Sequence, residues 1–89
     1  AAPAWQAQQE QVAAHPEDEA ARLALARALR DRGMLPEALA HYAPLADGAP
    51  DVLREAAHDL ELLTRLYPAH EGLRALLQQM QANLASLGG

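Results

Sequence analysis

Eighty-nine residues carrying a formal charge of -5 set the expectation of one small domain, of a size that buries roughly 60% of the surface its unfolded chain exposes. All seven basic residues are Arg, set against twelve acidic ones, so the chain repels a phosphate backbone, and nucleic acid is not an expected partner. The absence of Cys removes disulfides, thiolate zinc sites and cysteine nucleophiles from consideration.

The apolar half of the composition is mostly Ala and Leu, with no Phe and no Ile, which favours helix and leaves little β-branched material for strands. An all-α fold is expected. No apolar run approaches the roughly 18 residues of a membrane span, so insertion in a membrane is not expected. No basic, apolar signal-like segment opens the chain, which favours a cytoplasmic setting and leaves periplasmic or extracellular ones open. The start "AAPAW" lacks an initiator Met and points to a processed product or an excised piece.

Pro and Gly divide the chain into five helical segments. The first, Pro3 to Ala14, ends at "HPED"; Trp5 and Val12 share a face, but the polar "QAQQEQ" between them predicts an end helix with a weak grip. The second, about Asp18 to Arg32, stops at Gly33, which enters the left-handed conformation of a helix C-terminus at least cost. The third begins at Pro36, suited to a first turn where its missing N–H costs nothing, and runs to "ADGAP". Pro44 within it removes the bond to the Ala40 carbonyl, a loss that bends or shortens a helix, and predicts a kink there.

The fourth segment runs from Asp51, read as its N-cap, to Tyr67 and is closed by Pro68. Leu53, Ala56, Ala57, Leu60, Leu63 and Tyr67 form its apolar face, which Leu62 and Leu66 widen, and Glu61 with Arg65 makes an acid-first pair at four residues. The fifth, about His70 to Leu87 and closing on Gly88, places Leu73, Leu76, Leu77, Met80, Leu84 and Leu87 at helical spacing. Gln78, Gln79, Gln81 and Asn83 are expected to face water. Links this short make successive helices antiparallel neighbours.

Pro16 and Pro50 both follow helices and lie 50 - 16 = 34 positions apart, the length of one tetratricopeptide unit. Between them fall Leu25, small Ala26, Leu29, Gly33 at the turn, Leu35, small Ala38, aromatic Tyr42, Leu45 and the closing Pro50. This stretch resembles a tetratricopeptide repeat, with Ala where the family accepts Gly or Ala. The size alternation has a physical reason: helix axes approach to about 8 Å only where the crossing residues are small, and the larger side chains fill the space on either side.

The resemblance implies antiparallel hairpins stacked as a short solenoid of about five helices, a single domain over 1-89. Within it, 1-16 is a partial repeat or end helix, 17-50 the full repeat, 51-68 an atypical helix and 69-89 a C-terminal or capping helix. Gln8 and Gln11 stand where the family places bulky apolar residues. The fourth helix matches a second helix through Ala56, Leu60, Leu63 and Pro68, although 68 - 50 is only 18. Gln78 and Gln81 suit a helix that stops the stack and faces water.

The chemistry-bearing residues are sparse. Glu55 and His58 have the Glu-x-x-His spacing of di-iron bundles, but once only, and Glu37 with His41 is a weaker pair, so no metal or other cofactor is expected. Ser86, Thr64 and the two Tyr are the only hydroxyls, no Gly-rich phosphate loop exists, and catalysis lacks its materials; the chain is not expected to be an enzyme. The resemblance instead implies a protein-binding module whose concave face carries Ala20, Leu23, Arg27, Arg30 and Asp31. There the two Arg could fork to a carboxylate of a bound peptide or helix. The alternative is self-association into a homodimer through apolar edges such as Leu53, Leu62, Leu66 and Leu73.

Overall fold

The computed structural model describes residues 4-88, and side chains over 6-87. Five α-helices follow one another: α1 (Ala4–Ala14), α2 (Glu19–Asp31), α3 (Leu35–Tyr42), α4 (Pro50–Leu66) and α5 (Glu71–Gly88), with a 3-10 segment, Ala43–Asp47, after α3. Among the described residues there is no strand. The expected start at Pro3 and the Trp5 side chain lie outside the described residues.

Contacts cluster into two compact units, Ala1–Pro44 and Leu45–Gly89. In the first, α2 packs against both α1 and α3, and in the second α4 packs against α5. The stretch read as one full repeat crosses this division, with α2 and α3 before it and Leu45 and Pro50 after it.

Local chemistry sets the limits of each helix. Asp18 caps α2, its Oδ1 accepting from the Ala21 N–H at 3.0 Å, which satisfies one of the unpaired donors of the first turn. At the other end Gly33 takes φ +75°. The Gly33 N–H donates to the Arg30 carbonyl at 3.0 Å and the Met34 N–H to the Leu29 carbonyl at 3.0 Å, the two bonds of a Schellman turn. The link to α3 is thereby held to three residues.

At Pro44 the helix does not bend and continue, as expected, but ends ahead of it. Without an N–H it cannot extend α3, so the α-helix stops at Tyr42 and the chain continues as the tighter 3-10 turn.

Asp51 is not the N-cap of α4. Helix geometry begins one residue earlier, at Pro50, with Ala49 in the cap place and no side chain bonding there. Asp51 sits in the first turn, where its charge still favours the helix dipole. Pro50 therefore opens a helix as much as it closes a hairpin, because a first-turn Pro loses no bond. Pro68 restricts the residue before it, and Tyr67 leaves helical geometry at φ -129°, ψ 66°. That ends α4 at Leu66.

His70 caps α5 in an unexpected way: its Nδ1 accepts from the Leu73 N–H at 3.1 Å. Gly72 leaves room for the ring, since a Cβ there would stand 3.2 Å from His70 Cε1, closer than such contacts ordinarily allow.

Buried side chains in the first unit include Val12, Leu23, Leu25, Ala26, Leu29, Ala38 and Tyr42. In the second they include Leu45, Ala46, Leu53, Ala56, Ala57, Leu60, Leu63, Leu73 and Met80. The apolar stripes read from spacing are only partly covered. Leu53 and Leu73, expected at an exposed edge, are buried at 1% and 0% exposure, whereas Leu62 at 45%, Leu66 at 71%, Tyr67 at 47% and Leu87 at 57% remain open. Tyr67 leaves the face because α4 has ended before it. Asn83, expected to face water, donates from Nδ2 to the Ala46 carbonyl at 2.7 Å and ties α5 to the 3-10 segment. Glu61 and Arg65 are both exposed, and among the described residues no ion pair joins them.

Candidate functional site

The surface expected on α2 is distributed unevenly. Ala20 and Asp31 are exposed, Arg27 and Arg30 are half-buried, and Leu23 is buried at 4% exposure. Leu23 is therefore part of the packing and not an apolar contact offered to a partner. Of the five residues, the structure brings Arg30 and Asp31 together: Arg30 Nε donates to Asp31 Oδ1 at 3.0 Å, and its NH2 lies 3.0 Å from the same oxygen. The guanidinium thus already spans a carboxylate oxygen, in a geometry a bound carboxylate would have to match or replace.

Ala20 also lines a hollow of about 360 Å³ with Gln8, Gln11, Asp18, Ala21 and Ala24, between α1 and α2. The Gln8 Oε1 atom is buried there without a hydrogen-bond partner. A buried amide oxygen without a donor loses its water bonds and gains nothing in return.

The packing residues behave as a size-alternating set. In the first unit Ala26 and Ala38 are at 0% exposure, as are Leu25 and Tyr42, with Leu29 at 3%; in the second, Leu45 is at 1%. Gly33 supplies the turn, Leu35 opens α3 half-buried, and Pro50 is exposed at the first position of α4.

The pairing of Arg22 with His41 and the burial of Asp59 escaped the sequence reading. Arg22 NH1 donates to His41 Nδ1 at 3.4 Å, a bond from α2 to α3 across 19 positions. Burial first, and then the Arg22 guanidinium, push the His41 imidazole below its ordinary 6.5. A cleft of about 320 Å³ beside it is lined by Gln9, Leu29, Met34, Glu37, Ala40 and His41. Asp59 on α4 is buried at 5% exposure. Four-residue steps along one helix link Glu37 to His41 but not Arg22, on α2, to His41 on α3.

Glu55 and His58 are both exposed, and among the described residues no three His, Cys, Asp or Glu side chains converge as metal ligands. Thr64 Oγ1 donates to the Glu61 carbonyl of its own helix at 2.8 Å, and Ser86 is exposed at the rim of a shallow hollow with Asn83 and Leu87. Among the described residues no helix is long and apolar enough to cross a membrane. Comparisons of the chain with protein-family models, with curated proteins and with solved structures returned no match.

Proposed function

We propose that the chain is a non-catalytic protein-binding module built from tetratricopeptide-like hairpins stacked as a short solenoid, with the outward side of α2 taking a peptide or helix of a partner protein. The observation that carries this reading is the α2–α3 hairpin. Two Ala, 26 and 38, are fully buried between larger side chains that are also buried, and a three-residue Schellman turn joins the helices. Such close packing is what a repeat needs to stack, and it leaves function to surface residues rather than to enclosed chemistry.

On this reading Arg27 and Arg30 bind a carboxylate of the partner, Arg30 exchanging Asp31 for it, while Ala20 receives a small apolar contact. Truncation of Arg at the centre of an interface commonly costs about 1–2 kcal/mol or more. The double substitution Arg27→Ala with Arg30→Ala is expected to weaken binding to a captured partner by at least about tenfold, measured by titration calorimetry. Unchanged affinity would remove α2 as the binding surface.

One observation favours a second reading, self-association into a homodimer. Leu62 and Leu66, one turn apart on α4, are 45% and 71% exposed, beside Tyr67 at 47%, and clustered apolar surface of this kind commonly marks an interface.

A further inference from the structure

We propose that the Arg22–His41 contact is a pH-sensitive latch on the α2–α3 hairpin, closed while the imidazole is neutral and opened when it takes a proton. The geometry requires this polarity. A guanidinium has donors only, so His41 Nδ1 at 3.4 Å from Arg22 NH1 must be the acceptor, and the ring proton then resides on Nε2. Protonation turns that acceptor into a donor and sets two cations against each other at a half-buried position, where water screens them poorly.

From α3, Glu37 lies one turn back and shares the cleft; from α2 come Arg22 and, three positions before it, Glu19; from α1 the cleft receives the neutral Gln9, and Glu10 lines a separate hollow with it. Glu37, in the same cleft, is a carboxylate placed to welcome an imidazolium. Even so, the ring is shifted toward the neutral form, by burial and by Arg22. The native state therefore binds fewer protons at His41 than the unfolded chain does. Its contribution to stability is complete above the ordinary 6.5 and is lost as pH falls through the lower native value. Opening the latch would loosen the wall of the cleft whose apolar floor is Leu29 and Met34.

The test follows the four His rings of the intact chain by NMR across the mildly acid range and pairs this with urea unfolding. His41 is expected to titrate below its ordinary value and to rise toward it in Arg22→Gln. The urea midpoint of the wild type is expected to fall between about pH 7.5 and about pH 5.5 by more than that of His41→Gln, whose amide keeps an acceptor but cannot charge. A His41 ring that titrates at or above its ordinary value, or one indifferent to Arg22→Gln, would overturn the latch. An equal fall in both proteins would do the same. A ring of the unmodified chain that titrates at or above its ordinary value overturns the latch even where a variant fails to fold.

Discussion

At the scale of single residues, backbone conformation and caps do most of the work. Gly33 holds φ +75°, in a region that disfavours any side chain by roughly 1–2 kcal/mol, and nothing stands within 4 Å of where its Cβ would be. The cost of Gly33→Ala is therefore conformational and not steric. Urea unfolding of that variant should show a loss of about 1 kcal/mol, with little change in the denaturant slope because the surface exposed on unfolding is the same. Helix ends were legible in the sequence at Gly33 and Pro68, whose effects are built into their own backbones. The His70 cap was not, because a ring nitrogen acts as a cap only when the residue two further on leaves space for it, as Gly72 does.

At the scale of helices, the apolar spacing of α2, α4 and α5 was readable as far as one face of each, but coverage was not. Leu53 and Leu62 are alike in type and lie on the same helix, yet one is buried and the other nearly half exposed. Nine positions at 3.6 per turn set them on opposite sides of α4, but spacing alone does not say which side a neighbouring element covers. Ala38 illustrates the reverse case, since its small size between Leu35 and Tyr42 already announces a close neighbour. Ala38→Leu should overpack that contact and destabilise the first unit by about 1–3 kcal/mol. Circular dichroism melts would register this as a lower midpoint. A variant as stable as the wild type would show that α2 and α3 do not rely on a small residue there.

At the scale of the whole chain, the surface divides into a charged and an apolar part with different consequences. The net charge of -5 opposes association over the acidic surface, while the Leu62 and Leu66 face invites it. Sedimentation equilibrium across a wide concentration range measures which prevails. A dimer that reverts to monomer in Leu62→Gln with Leu66→Gln would place the contact on α4. A monomer at every concentration would leave the α2 surface as the one to pursue. Neither substitution should alter stability by more than about 0.5 kcal/mol, because both side chains lie at the surface.

The bond from Asn83 to the Ala46 carbonyl joins positions 37 apart, whereas the Schellman turn and the helix caps join residues within five of one another. Synthesis proceeds from the N-terminus, and domains tend to fold as they emerge. Helices α1 to α3 are complete once Tyr42 has been added, but the 3-10 segment must wait for residue 83 before its carbonyl meets the Asn83 amide. For the length of two helices, the second unit is a nascent chain held open at its beginning, and it closes only once α5 has been made.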